Sequence, residues 1–211
     1  MGLISLLFSN PALFFILAFL LLYSIIAHEV AHGWVAYLFG DDTAMRSGRL
    51  TLNPASHLDP VGTLMLFLVG FGWAKPVPVD YYRLKNARFG LMSVALAGCA
   101  ANILIAIIAL FLLQFDHIRA NPALSVILPI MVKINIILGA FNLIPIPPLD
   151  GSKILMSVLP KNAQYNLARL EPYGLLILAL LLFTGLLNPV IAFMQSMIFG
   201  FIAMLFHLFV R

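Results

Sequence analysis

The stretch IIAHEVAHGW, residues 25–34, contains the pattern His-Glu-x-x-His inside a long apolar run, and the rest of the chain is organised around it. Residues four apart on a helix lie on the same face, so His28 and His32 can present two imidazole nitrogens to one ion. Glu29 is placed to reach a metal-bound water rather than the metal, which is the arrangement of zinc hydrolases. It is also the only charged residue within residues 11–39. Because ionisable groups are costly inside a bilayer, a functional role is favoured over a polar turn that only packs helices together.

The composition indicates an integral membrane protein. Of the 211 residues, 63% are hydrophobic and 9% are charged, whereas a soluble domain has about 25% charged residues. The length allows one compact bundle, so residues 1–211 are expected to form a single membrane domain. The lone Cys99 excludes a disulfide framework and a Cys-based zinc site. The net charge of +4 is better explained by membrane orientation than by nucleic-acid binding.

Apolar segments predict an all-α polytopic membrane protein with about five transmembrane helices, each needing about 20 residues. The predicted spans are residues 12–39, 89–114, 123–144, 172–187 and 189–210. Residues 61–72 are apolar but too short to cross a bilayer, and three glycines weaken a helix there. A re-entrant or interfacial segment is therefore expected at 61–72.

Three further segments carry local signals. Alternating apolar and polar residues at 44–52 fit a strand or a short β hairpin, and residues 73–79, with two prolines, are expected to be extended. Three prolines within residues 145–148 end the third span, and a short helix is expected at 151–159. One helix is therefore expected to end shortly before Asp150, and another to begin directly after it.

Basic residues are distributed asymmetrically about the predicted spans. If the N-terminus is outside and residues 61–72 do not cross, ten of the twelve Lys and Arg residues fall on one side. These are Arg46, Arg49, Lys75, Arg83, Lys85, Arg88, Lys153, Lys161, Arg169 and Arg211. Arg119 falls opposite, and Lys133 lies within a span. The positive-inside rule makes the basic side cytoplasmic, so the chain is expected to be a multi-pass membrane protein with its active site towards the cytoplasm.

A third metal ligand has to be found elsewhere, since a catalytic zinc site takes three protein ligands and keeps one position open. Five of the eight acidic residues lie in loops, and Glu29 is assigned as the base, which leaves Asp150 and Glu171. Asp150 follows the Pro-broken end of a span at the depth of the histidines, but an Asp-Gly turn or a helix N-cap explains it equally well. Glu171 precedes Pro172 and fits a helix start. Residue spacing alone leaves both candidates open.

Two separated motifs together resemble the site-2 protease family of intramembrane zinc metalloproteases. They are HEVAH, residues 28–32, and NLIPIPPLDG, residues 142–151. The run AGCAAN, residues 97–102, is similar to a small-residue segment of that family that ends in Asn, although Cys99 stands where Pro is common. Residues 53–62 also resemble the short bacterial and archaeal members, which implies that the chain lies in a prokaryotic cell membrane. The resemblance covers about residues 20–160.

The resemblance implies a metal centre and a reaction. It implies His28, His32 and Asp150 as ligands of one Zn²⁺ per chain, and Glu29 as the catalytic carboxylate. Asn142 and Asn102 are implied to place the substrate strand or to stabilise the oxyanion.

The resemblance also implies the kind of substrate and the domain limits. The substrate would be a transmembrane protein in the same lipid bilayer, cleaved in or near its transmembrane segment during regulated intramembrane proteolysis. The catalytic core would be about residues 12–160, with two extra spans at 172–210 and no PDZ or CBS domain.

Two alternatives remain open from the sequence. One is a different membrane zinc protease in which Glu171 replaces Asp150 as a ligand. The other is a non-proteolytic zinc carrier or scaffold, which would not need Glu29. Among residues outside the motifs, His57 is expected to be structural, because a catalytic zinc keeps one position open. Lys133, in mid-span with no acidic neighbour in the sequence, fits either the lining of a water-filled path or a snorkelling side chain.

Overall fold

The computed structural model describes residues 3–69 and 74–209, and this part of the chain is helical, with no strand. The α-helices are α1 (Leu3–Ser9), α2 (Pro11–Leu38), α3 (Thr43–Arg46), α4 (Pro60–Val69), α5 (Ala87–Leu112), α6 (Asp116–Arg119), α7 (Leu124–Asn142), α8 (Asp150–Val158), α9 (Lys161–Ala168), α10 (Gly174–Phe183) and α11 (Asn188–Phe209). Two short 3₁₀ turns lie at Pro54–Ser56 and Glu171–Tyr173. The prediction of an all-α protein is confirmed.

Five helical segments in the described part of the chain are long and apolar enough to cross a membrane. They are α2, α5, α7, the combined segment Lys161–Phe183 that contains α9 and α10, and Asn188–His207 in α11. The prediction of about five spans is therefore confirmed. The fourth begins earlier than the predicted residue 172, because the polar residues of α9 are helical and lead through the 3₁₀ turn into α10.

Helix α5 is the centre of the bundle and packs against α2, α7 and α8. Its buried positions are mostly small, which allows neighbouring helices to approach closely. Ala106 and Ala109 of α5 pack with Leu128 and Val132 of α7 and with Ile198 of α11 in the largest apolar cluster. On another side, the small-residue segment of α5 packs against α2, where Gly98 lies next to both motif histidines.

The β hairpin suggested for residues 44–52 is wrong. The Asp41 carboxylate accepts hydrogen bonds from the backbone N–H and the hydroxyl of Thr43, and the helical turn α3 begins there. Gly48 then turns the chain with φ of 65°. These local hydrogen bonds stabilise a turn more than the short alternation stabilises a strand.

The segment predicted to be re-entrant or interfacial contains α4. This helix has ten residues, which is about 15 Å at 1.5 Å per residue and half of a hydrocarbon core about 30 Å thick. Residues 70–72 of that prediction, and Trp73 of the stretch predicted to be extended, lie outside the described residues. Residues 74–79 are neither helix nor turn, as expected for an extended stretch.

The break between α7 and α8 places Asp150 at the start of a helix. Gly151 makes the tight return possible, because a Cβ at this position would collide with the carbonyl oxygens of Leu143 and Ile144. Helix α8 consequently packs its first turn onto the end of α7 and against α5. The chain reversal brings the Asp150 carboxylate to the face of α2 that carries His28.

Candidate metal centre

Three side chains from two distant parts of the sequence meet at the junction of α2, α5 and α8. His28 Nε2 and His32 Nε2 lie 3.0 Å apart. Asp150 Oδ2 lies 3.0 Å from His28 Nε2 and 3.1 Å from His32 Nε2. All three residues are buried. Within the described residues they are the group of His, Cys, Asp and Glu side chains that could hold a metal ion, and Glu171 does not belong to it.

The three atoms fit a zinc ion. With Zn–N and Zn–O distances of about 2.0–2.2 Å, tetrahedral ligand atoms lie about 3.3 Å apart. The observed separations of 3.0 and 3.1 Å are close to that value. Asp150 Oδ2 is also buried without a hydrogen-bond partner in the described structure. A buried, unpartnered carboxylate oxygen that faces two imidazole nitrogens forms with them a set of ligand atoms suited to a divalent cation.

The Nδ1 atom of each imidazole, on the side away from Asp150, makes a hydrogen bond that orients the ring. His28 Nδ1 lies 2.6 Å from Asn102 Oδ1, and His32 Nδ1 lies 2.7 Å from the carbonyl oxygen of Val94. Since both partners are acceptors, each Nδ1–H donates. Each Nε2 therefore keeps a lone pair that can bind a metal ion between His28, His32 and Asp150. The two histidines are therefore fixed in the tautomer that a metal ligand needs.

Glu29 faces the same cavity as the three candidate ligands. The cavity holds about 400 Å³ and is lined by His28, Glu29, His32, Asn142 and Asp150, among others. Glu29 Oε2 accepts a hydrogen bond of 2.8 Å from the backbone N–H of Val77. One carboxylate oxygen is thereby anchored beside the three candidate ligands, as the carboxylate of a zinc hydrolase requires.

Comparison with known proteins identifies the family. The model of peptidase family M50 matches residues 116–185. "Putative zinc metalloprotease YwhC" of Bacillus subtilis is 40% identical over 173 residues, which is 79% of this chain and 79% of that protein. The chain belongs to peptidase family M50, the site-2 protease family. It is a zinc metalloprotease, its cofactor is Zn²⁺, and it is an integral membrane protein.

Other relatives of this M50 peptidase carry similar names. "Putative zinc metalloprotease Rip2" of Mycobacterium tuberculosis is 33% identical over 175 residues, 79% of this chain and 66% of that protein. "Zinc metalloprotease MJ0392" of Methanocaldococcus jannaschii is 27% identical over 157 residues, 74% of this chain and 38% of that protein. No solved structure gives a significant match. Membership of a peptidase family argues against the alternative of a non-proteolytic zinc carrier or scaffold.

Asn102 of the M50 peptidase lies behind the metal centre, away from the cavity. It is fully buried, and its amide nitrogen donates to Asn135 Oδ1 at 2.8 Å. Asn135 in turn donates to the Ser24 hydroxyl at 2.9 Å. This position favours a role in orienting His28 over the predicted contact with substrate. Asn142 does line the cavity, so its predicted contact with substrate stays a prediction.

Two cavity residues, Lys153 and Tyr81, were not singled out from the sequence. The Lys153 ammonium lies 5.5 Å from the centre of the Tyr81 ring. Burial would lower the pKa of Lys153, but the Tyr81 hydroxyl and the charges of Asp150 and Glu29 outweigh it and raise that pKa. The raised pKa favours the protonated form of Lys153 in the cavity. Its place three residues after Asp150, on the same face of a helix, was the available signal.

The cavity wall formed by residues 74–79 is held by side chains from outside the motifs. Arg49 Nη2 donates to the carbonyl oxygens of Lys75 at 2.7 Å and Pro76 at 3.2 Å. The Lys75 N–H donates to the carbonyl oxygen of His57 at 2.8 Å, and the His57 ring lies 2.8 Å from the Thr51 carbonyl oxygen. The expected structural role of His57 agrees with this placement. Together with Glu29, these contacts fix the extended stretch beside the metal centre.

Gly98→Ala is expected to lower zinc affinity by about 10–100-fold, the usual effect of disturbing the groups that orient metal ligands. A Cβ at Gly98 would lie 2.5 Å from both His28 Cε1 and His32 Nε2, so the imidazoles must move. The matched control is Gly200→Ala, where a Cβ meets no atom within 4 Å. The measurement is the amount of zinc bound per chain after dialysis against increasing concentrations of a chelator. Equal zinc retention by the two variants would contradict the close packing of α5 on the histidines.

Proposed function

We propose that this M50 peptidase hydrolyses peptide bonds in or near transmembrane segments of other membrane proteins. The observation that carries the proposal is that His28, His32, Asp150 and Glu29 line one cavity among helices that can cross a membrane. His32 lies six residues before Leu38, the end of α2, which is about 9 Å along the helix. A substrate segment within the bilayer can reach a site at this depth by lateral movement, whereas a soluble chain would have to enter the membrane.

His28, His32 and Asp150 are proposed to hold the zinc ion. When bound, zinc would polarise the peptide carbonyl and lower the pKa of a water molecule to about 7. Glu29 is placed to take a proton from the attacking water as the new C–O bond forms, and to deliver it to the amide nitrogen as the C–N bond breaks. The Val77 N–H keeps Glu29 Oε2 in place. Asn102 and the Val94 carbonyl keep the two imidazoles turned towards the ion.

The substrate is proposed to bind in extended form, because a helix hides its carbonyl groups in its own hydrogen bonds. Residues 74–79 offer an extended neighbour, and Ala74, Pro76, Val77 and Val79 line the cavity. Backbone hydrogen bonds to this stretch would position a strand independently of its side chains. Residues that weaken a helix, such as Gly and Pro near the cut, should then speed cleavage.

The predicted catalytic core, residues 12–160, supplies all the proposed ligands and the base. The cavity also has wall residues from beyond that limit, since Glu171, Leu175 and Leu178 line it. We therefore retain residues 1–211 as one membrane domain, with α10 closing one side of the site.

The test of the function is cleavage of a single-span model substrate by purified protein, with and without a chelator. His28→Ala is the site variant, and His117→Ala, which changes an exposed histidine outside the site, is its matched control. We expect cleavage by the wild type and His117→Ala only, and only without the chelator. The cleaved sequence is also supplied as a water-soluble peptide. Preferential cleavage of the soluble form, or cleavage that persists in His28→Ala and in chelator, would refute the proposal.

The loop that contains Ser47 is expected on the cytoplasmic side, because ten of twelve basic residues fall there in a five-span topology. The measurement is cysteine labelling of intact cells on a Cys99→Ser background. Ser47→Cys should be protected from an impermeant reagent until the cells are opened, and Ala120→Cys should react directly. Both replaced residues are exposed in the structure. Reaction of Ser47→Cys in intact cells would reverse the topology.

A further inference from the structure

Lys133 is a charged residue at the midpoint of a spanning helix. It lies nine residues from each end of α7, Leu124 and Asn142. Nine residues correspond to about 13 Å of helix, while the four-carbon stem of lysine reaches about 6 Å. The ammonium cannot reach the aqueous phase at either end of α7. A cation at this depth is costly unless it has a partner, and such residues commonly mark a functional contact.

The described part of the chain supplies no ion-pair partner for this cation. All eight acidic residues are described, and none of the ion pairs among them includes Lys133. The Lys133 side chain is exposed on the outer surface of the helical bundle and does not line the catalytic cavity. Full snorkelling does not fit this depth, and the suggested lining of a water-filled path stays a prediction.

One face of α7 is left open by the neighbouring helices. The buried residues of α7 include Val132, Ile136 and Gly139, which pack towards α5 and α11. The exposed positions fall at helical spacing along the opposite side. We call this side the open face of α7; it consists of Val126, Pro129, Lys133 and Ile137.

The open face leads to the catalytic cavity. Ile137 is its last exposed residue, and the adjacent Leu138 and Phe141, one turn further on, line the cavity together with Asn142. A helix that lies on the open face therefore has one end at the cavity mouth. Its contact with α7 would be apolar except at Lys133.

We propose that the open face of α7 docks the transmembrane segment of the substrate, and that Lys133 selects segments with an Asp or Glu at matching depth. This inference rests on the proposed function and adds a substrate class to it. A lone carboxylate in the substrate is as costly in the bilayer as a lone ammonium in the enzyme, and pairing relieves both costs. The acidic residue should lie about 13 Å, or about nine helical residues, from the end of the segment that enters the cavity.

The experiment uses full-length protein in liposomes and single-span substrates with one Glu moved in steps along an otherwise apolar segment. A Gln scan of the same positions is the matched control, since it removes only the charge. At the position nine residues from the cut end, we expect kcat/KM for the Glu substrate to exceed that for the Gln substrate by about tenfold. The difference should arise mainly from a lower KM for the Glu substrate. Lys133→Met should lose that preference. Lys133→Glu should transfer it to a substrate with Lys at the same position.

Capture without turnover separates this inference from the proposed function. A photo-crosslinking residue at Ile137 in the Glu29→Gln protein should capture the Glu substrate in preference to the Gln substrate, and Lys133→Met should abolish the difference. Zinc content and melting temperature establish that each variant is folded. Equal capture and equal cleavage of Glu and Gln substrates at every position would overturn the proposal while leaving the protease function intact. Crosslinking of Ile137 only to a second copy of this chain would also overturn it.

Discussion

Glu29→Gln will retain its zinc and its fold and will lose turnover by about 10²–10⁴-fold, the range for removal of a general acid–base group. The amide oxygen of Gln can still accept the hydrogen bond that Val77 donates to Glu29 at 2.8 Å. What the amide cannot do is take a proton from water and return it to the leaving amine. The measurement is zinc per chain and single-turnover cleavage of a transmembrane substrate, each compared with the wild type.

The matched control for this variant is Glu171→Gln, since Glu171 lines the same cavity but lies outside the metal-binding group. It removes an equal charge from the same space. We expect Glu171→Gln to cleave the substrate at a rate within a few-fold of the wild type, because changes away from the reacting atoms have small effects. If Glu29→Gln cleaved as fast as Glu171→Gln, Glu29 would not be the proton carrier.

Asp150→Ala will lose zinc and activity together. Two imidazoles remain in that variant, and a catalytic zinc site takes three protein ligands. Asp150 Oδ2 is the atom that completes the group, at 3.0 and 3.1 Å from the two Nε2 atoms. Zinc should fall from about one per chain to near zero after mild chelation, and cleavage should fall to the background rate.

The control for this variant is Asp116→Ala, which removes an exposed carboxylate at the start of α6. It should keep both zinc and activity. Full zinc occupancy in Asp150→Ala would refute the assignment and make Glu171→Ala the next variant to measure.

The part of the site that could be predicted from residue spacing is the part that lies within one helix. His28 and His32 are one turn apart in α2, so their proximity follows from helix geometry. Asp150 lies far along the chain, and residue spacing alone could not distinguish a metal ligand there from an Asp-Gly turn or a helix N-cap. The family resemblance favoured Asp150, and the structure brings it to the histidines through the tight return at Gly151.

Long-range packing accounts for what the sequence did not show. Asn102, Asn135 and Ser24 are visible as polar residues in apolar spans, but their mutual contacts depend on how α2, α5 and α7 pack. The hairpin error at residues 44–52 had a local cause, since the Asp41 side chain stabilises a helical turn that binary patterning does not register.

The hydrogen-bonded chain from His28 through Asn102 and Asn135 to Ser24 is expected to influence the order in which the metal centre assembles during biosynthesis. Its members come from the first, second and third spans, and the remaining proposed ligand, Asp150, follows the third. A nascent chain that has inserted only α2 has both histidines but neither the group that orients His28 nor the third ligand. Because metal binding is coupled to assembly of its ligands, we expect zinc to be bound tightly only after three helices have associated in the bilayer. Under the proposed function, an incompletely inserted chain would then be unable to cleave other membrane proteins.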